Sequence, residues 1–271
     1  MSTAFTRQPV MPAGGRATPA RGLHGHALDG NMVRATVVEA VGTFFLVAVI
    51  ICTAIAATLA RPITAAPYSS IALPIAAGMV LATLVASLGP VSGAHFNPAI
   101  TIALAVNRLF PWRYVPCYVA AQMTGAIVAA LAAWGCYGQR ARSVAGLSGT
   151  YPAPGIGAWQ VFGIETVATM LLVLVITAVA ADPKAPVGVA AIAIGFSLAA
   201  VVFACGPLTG ASVNPARSLG PMIIAGRLPD WWCYILGPLA GACAAVALYE
   251  RVFRQVTPPA ADSGLAAQKK E

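Results

Sequence analysis

Charge is what this sequence has least of. Asp, Glu, Lys and Arg make up 9% of its 271 residues, where a soluble domain carries about 25%. Hydrophobic side chains make up 59%, and the mean hydropathy is +0.80. A water-soluble globular protein is thereby excluded. Metal-ligand and disulfide spacing is missing too. The six cysteines, at 52, 117, 136, 205, 233 and 243, are scattered through apolar runs and read as small buried hydrophobes. No basic stripe is interleaved with aromatics, so the net charge of +8 gives no reason to expect nucleic acid as a partner. No hydrolase, redox or phosphate-binding constellation occurs, so neither an enzyme nor a metal or cofactor is expected. His24 and His26 are the one near pair of histidines, and they read as solvated groups in a tail.

What the chain has in abundance is apolar runs of bilayer length, about 20 residues each. Six full spans are expected, at 33–59, 70–89, 114–137, 159–181, 187–206 and 231–250, with two half-length runs at 97–107 and 214–225. The lipid bilayer is therefore the expected surrounding. Residues 1–31, rich in Ala, Gly, Pro and Arg, read as a disordered tail, as do 253–271. The intervening 32–252 reads as one membrane domain, with halves at 32–137 and 158–252. A polar, Gly-rich connection (138–157) links the halves, and Asp182-Pro183-Lys184-Ala185-Pro186 is expected to turn between the fourth and fifth spans.

One stretch occurs twice: Ser92-Gly93-Ala94-His95-Phe96-Asn97-Pro98-Ala99 and Thr209-Gly210-Ala211-Ser212-Val213-Asn214-Pro215-Ala216-Arg217. Asn followed by Pro reads as a helix start. The Asn oxygen can cap free backbone N–H groups, and Pro at the first helical position gives up an N–H that had no partner. Each copy thus opens a half-span. The repeat extends further: Glu39 lies in the first span and Glu165 in the fourth, and Tyr118 and Tyr234 each precede a Gly by seven. Each half reads span, span, half-span, span. An odd number of full spans per half inverts the second half, giving an inverted repeat about an axis in the membrane plane. The fold class expected is an all-α membrane protein of six transmembrane helices and two re-entrant half-helices.

Lys and Arg placement sets orientation. With both termini inside, Arg7, Arg16, Arg21, Arg34, Arg108, Arg113, Lys184, Arg251, Arg254, Lys269 and Lys270 are cytoplasmic, against Arg61, Arg140, Arg142 and Arg227 outside. A multi-pass protein of the cell membrane with cytoplasmic termini is expected.

Irregular backbone at membrane depth must be buried in protein or line a watery cavity. Two half-spans entering from opposite sides solve this by meeting near the midplane, each helix N-terminus carrying about half a positive charge. That junction repels cations and hydrated protons. The amides of Asn97 and Asn214 can donate hydrogen bonds to a neutral solute passing between them.

These residues resemble the major intrinsic proteins, the aquaporins and aquaglyceroporins. The resemblance covers about 33–251 and rests on the paired Asn-Pro-Ala motifs (Asn97, Pro98, Ala99; Asn214, Pro215, Ala216), Arg217, and the Glu in each half. It implies a homotetramer with one pore per subunit. It also implies that Glu39 and Glu165, which as intramembrane acids could couple ions, instead accept N–H groups of the re-entrant loops. His95 reads as a pore-side or loop-bracing group, with a pH gate as the alternative. The family's selectivity filter takes one residue from the second span, one from the fifth and two from the second loop. An ungapped count from the Asn residues assigns Ala77, Val202, Ala211 and Arg217. Water-selective members carry an aromatic and a His at the first two positions. Here Ala77 and Val202 imply a wider, more apolar opening, closest in pattern to nodulin-like intrinsic proteins and related bacterial metalloid-permeable channels. The function implied is passive flux of water and small uncharged solutes such as glycerol, urea and arsenous acid. The alternatives are a strictly water-selective pore, an ion-coupled secondary transporter and a water-tight junction protein.

Overall fold

The computed structural model describes residues 32–61, 71–181 and 188–254. The expected N-terminal tail, the C-terminal tail from 255 on, the His24/His26 pair and the turn at 182–186 lie outside the described residues, while Phe253, expected in the tail, closes the last helical turn. Within them the chain is helical and contains no strand. In order the helices are α1 (Met32–Thr58), α2 (Ala72–Ser92), α3 (Pro98–Val106), α4 (Val115–Tyr137), α5 (Gln139–Ser143), α6 (Ala158–Ile176), α7 (Ala190–Thr209), α8 (Pro215–Ala225) and α9 (Cys233–Leu248). Single π-turns extend α6 (Thr177–Ala181) and α9 (Tyr249–Phe253). Six of these segments are long and apolar enough to cross a membrane. The chain is a multi-pass membrane protein.

The second span runs three residues past the expected end, and the fifth starts and ends three residues late. The Gly-Pro pairs Gly89-Pro90 and Gly206-Pro207 look like stops. Yet the left-handed turn falls one turn later, at Gly93 (φ 92°) and Gly210 (φ 85°), whose N–H groups bond the carbonyls of Gly89 and Gly206. The connection 138–157 is also more ordered than its composition suggests. It holds α5 and a 3₁₀ turn at Gly146–Ser148.

Helices pair as an inverted repeat demands. α1 packs on α4 as α6 packs on α9, and α2 packs on its own counterpart α7. Small residues set these crossings: a Cβ at Gly125 would stand 2.3 Å from the Ala40 carbonyl oxygen, and one at Gly241 2.1 Å from that of Thr166. In a membrane, van der Waals contact between close backbones does the work that water-driven burial does elsewhere. The half-helices cross over. α8 packs chiefly on α4 of the first half and α3 on α9 of the second, so the halves interlock and neither re-entrant loop meets lipid alone.

Candidate functional site

The two re-entrant loops meet at the centre with matching geometry. Each begins at its glycine and places two further residues in the left-handed region: Ala94 (φ 52°) and Phe96 (φ 48°), Ala211 (φ 44°) and Val213 (φ 47°). Such conformations cost roughly 1–3 kcal/mol each and persist only where the surroundings over-determine them. Here the surroundings are two buried carboxylates. Glu39 accepts the N–H of His95 (3.0 Å) and of Phe96 (2.7 Å), the Ser92 hydroxyl (2.7 Å) and the Gln122 amide (2.8 Å). Glu165 accepts the N–H of Ser212 (3.0 Å) and of Val213 (2.8 Å) and the Thr209 hydroxyl (2.7 Å). The repeated tyrosines close the same corners, Tyr118 donating to the Ser92 carbonyl (2.7 Å) and Tyr234 to that of Thr209 (2.9 Å).

Asn97 and Asn214 each do two jobs. The side-chain oxygen of Asn97 caps α3 by accepting from Ala99 N (2.9 Å), and that of Asn214 caps α8 by accepting from Ala216 N (3.0 Å) and Arg217 N (3.3 Å). The amide nitrogens reach across the junction: Asn97 Nδ2 donates to the Val213 carbonyl (2.7 Å) and Asn214 Nδ2 to the Phe96 carbonyl (2.8 Å). One of the two N–H groups on each amide is therefore spent on tying the loops together, leaving one for a solute.

Beside the junction lies a cavity of about 40 Å³. Asn97, Asn214, His95, Ser212 and Arg217 supply its polar lining, and Leu46, Leu81, Leu172 and Leu198 are among its apolar walls. His95 also accepts or donates at Nδ1 with the Thr101 hydroxyl (3.0 Å) and packs with Phe110 and Tyr118 in a three-ring cluster, the centroids 4.8–5.1 Å apart. Of the four filter residues assigned by counting, only Arg217 is in the cavity wall. Ala77 and Val202 are buried one helical turn along from Leu81 and Leu198, on the same stripes of α2 and α7, and Ala211 is buried in the second loop.

Several contacts at the site were not foreseen in the sequence. Arg217 is buried and its Nη1 donates to the Ser148 carbonyl (3.0 Å). The Thr150 and Ser218 hydroxyls bond at 2.5 Å, and Ser218 bonds Ser212 in turn. Ala153 N bonds the Leu208 carbonyl (2.8 Å), and a Cβ at Gly210 would press on Thr150. The connection between the halves thus folds back as a clamp on the second loop. Tyr151 donates to the Gly146 carbonyl (2.9 Å) within it, and burial pushes its phenol above the usual range despite Arg227 and Arg217 nearby. Gln122 was not singled out in the sequence, although it is the lone amide in its span, four residues beyond Tyr118. The clamp left no signal, because it acts through backbone carbonyls and contacts far apart in sequence.

A family model described as major intrinsic protein matches residues 27–249. Nodulin-26 of Glycine max is 41% identical over 223 residues, covering 80% of this chain and 76% of that protein. Aquaporin AqpM of Methanothermobacter thermautotrophicus is 36% identical over 241 residues, covering 81% and 97%. The probable aquaporin NIP4-2 of Arabidopsis thaliana is 39% identical over 198 residues, covering 71% and 68%. In fold, the chain is similar to the aquaglyceroporin from Plasmodium falciparum, with a TM-score of 0.70 at 21% identity over 82% of this chain and 97% of that one. The paired half-helices and these matches lead to one conclusion: the chain belongs to the major intrinsic protein family, the aquaporin and aquaglyceroporin channels that pass water and small solutes across membranes.

Proposed function

We propose that this chain is a passive channel, not an enzyme, for water and small uncharged solutes including glycerol, urea and arsenous acid, and that it excludes protons and ions. The observation that carries the reading is the junction itself: α3 and α8 meet N-terminus to N-terminus, with Asn97 and Asn214 flanking a narrow cavity. Both dipoles there disfavour cations, and neutral hydroxylic molecules can accept the remaining amide N–H groups. Arg217, held at its guanidinium by Ser148, supplies donors and a positive charge toward the outer end. Ala77, Val202 and Ala211 complete the filter in this reading, and their small or apolar side chains favour solutes larger than water.

Glu39 and Glu165 serve here as loop braces, which supports a channel over an ion-coupled transporter. Their oxygens already accept four and three donors respectively. His95 braces the first loop in the same way through Thr101. The working form is a homotetramer in the cell membrane with both termini inside. Apart from Arg217 in the second loop, the arginines of the described residues divide five to four. Arg34, Arg108, Arg113, Arg251 and Arg254 share the face where α1 begins, and Arg61, Arg140, Arg142 and Arg227 share the other. Lys184 and the basic tails add the rest of the weight behind the orientation.

Stopped-flow light scattering on reconstituted liposomes tests the function. Fast shrinkage in hyperosmotic sucrose, followed by re-swelling in isotonic glycerol, urea or arsenite, is the expected result. Shrinkage no faster than in protein-free liposomes refutes the channel. Water flux that collapses when a pH or sodium gradient is removed restores the transporter.

A further inference from the structure

The inverted repeat gives every pore position a partner on the other side of the membrane. The offset that relates Asn97 to Asn214 also relates Ser92 to Thr209, which donate to Glu39 and Glu165 in the same way. It relates Gly78 to Gly195 as well, and these two face each other across α2 and α7, a Cβ on either standing 2.5–2.7 Å from the carbonyl oxygen of the other. The correspondence can therefore be carried along α2, the first loop and α3 residue for residue. It maps Ala77 onto Ile194, Val202 onto Val85, Ala211 onto Ala94 and Arg217 onto Ile100. The four filter positions have a mirror ring on the far side of the Asn pair.

The two rings differ in chemistry and in their place on the cavity. All four mirror residues line it, whereas Arg217 alone represents the outer set. The mirror ring puts Ile where the outer ring has Ala, and Ile where the outer ring has Arg. Among the described residues its one polar side-chain neighbour in the wall on that side of the Asn pair is His95, whose Nδ1 is engaged with Thr101. A hydroxylic solute leaving the Asn amides on that side meets branched aliphatic groups that offer no hydrogen bond and cannot thin out by rotating away, since β-branched side chains are stiff at χ1 in helices. Hydrophobic constrictions of this kind limit passage by size and by dewetting.

We propose that Ile194, with Val85 and Ile100, forms a second and apolar constriction, and that this ring rather than Ala77 and Val202 sets the largest neutral solute the channel passes. The inference rests on the channel reading above and adds which residues fix its size limit. Water, small enough to keep its file of neighbours, is least affected. Glycerol and other polyols, which must shed hydrogen bonds at the ring, are affected most.

The test is stopped-flow flux in liposomes carrying wild type, Ile194→Ala, Ala77→Ile, or the two changes together, with water, urea and glycerol as probes. A pocket altered by a single methylene discriminates by about tenfold or more. Ile194→Ala is therefore expected to raise the glycerol-to-water permeability ratio by about that factor. Adding Ala77→Ile, which moves the same bulk to the outer ring, is expected to return the ratio toward wild type. Ile194→Val, which removes one methyl, is expected to shift the ratio in the same direction by less, and it supplies the reading should the alanine variant fail to reconstitute. A ratio unchanged by both Ile194 variants and lowered by Ala77→Ile alone places the limit in the outer ring and overturns the proposal while leaving the channel standing. A wild type that conducts no water overturns the channel and this ring with it.

Discussion

Glu39 and Glu165 occupy the same place in the two repeats but are not held equally. Gln122 gives Glu39 a fourth donor and also bonds Thr101, while the corresponding position of the second half is Pro238, which has no side-chain donor. Hydrogen bonds to an ionised carboxylate are roughly twice as strong as neutral ones. Glu39→Gln and Glu165→Gln each keep one acceptor oxygen but turn an amide nitrogen toward N–H donors. Each is expected to destabilise the folded protein by about 2–4 kcal/mol, the cost of charge-assisted bonds lost and a buried donor left unpaired, and Glu39→Gln by the larger amount. Thermal unfolding in detergent measures this. Solute preference among the surviving channels is expected to stay as in wild type, and a variant that folds normally but gains pH-dependent flux shows the acids to be coupling sites. At the proposed outer filter, Ala77→Phe with Val202→His fills the space that small side chains leave. Glycerol and urea uptake are expected to fall to the protein-free level while water flux persists. Unchanged glycerol uptake in that double variant shows that these two positions do not face the path.

The helices show how far sequence carries and where it stops. Spans were legible because a bilayer demands about 20 apolar residues and leaves the backbone no partner but itself. The half-spans were legible because Asn-Pro is a cap with a mechanism, and both Asn side chains do cap their helices. The ends of α2 and α7 were misread by a turn, since proline signals a stop while the left-handed glycine three residues on makes it. The cross-bonds from Asn97 and Asn214 to the opposite loops were not legible at all. Their acceptors are carbonyls of Val213 and Phe96, and a carbonyl carries no mark of residue type. The same holds for Ser148, which holds Arg217 by its backbone. Glycine spacing was legible as a pattern, but its purpose needed the contacts. Gly125→Ala and Gly241→Ala each drive a methyl into a carbonyl oxygen of the neighbouring helix. Overpacking typically costs about 1–3 kcal/mol. Both variants are expected to lower the unfolding temperature and the yield of folded protein. A melting curve unchanged by either shows that the α1–α4 and α6–α9 crossings can spread without loss.

At the scale of the whole molecule the interlocking of the halves matters more than any one side chain. α3 and α8 are each too short to span the bilayer, and each rests on the last helix of the other half. Their N-termini are thereby fixed at one point inside the protein, where a chain of hydrogen-bonded water would otherwise carry protons. Each terminus presents about half a positive charge in a low-dielectric setting, where such charges act far more strongly than in water. Asn97 and Asn214 add donors but no side-chain acceptor to the path, since both side-chain oxygens are occupied by the caps. A water between them must point its oxygen at the amides and cannot pass a proton along the file. The expected outcome is water flux without proton flux. Liposomes loaded with a pH-sensitive dye should shrink rapidly in hyperosmotic buffer while holding an imposed pH gradient, with a proton ionophore collapsing it as the control. Asn97→Asp with Asn214→Asp replaces two donors by two negative charges at the junction, and the same liposomes are expected to lose the gradient faster than wild type wherever the variant still conducts water. A wild type that dissipates the gradient as fast as the ionophore does removes the opposed half-helices as the basis of proton exclusion.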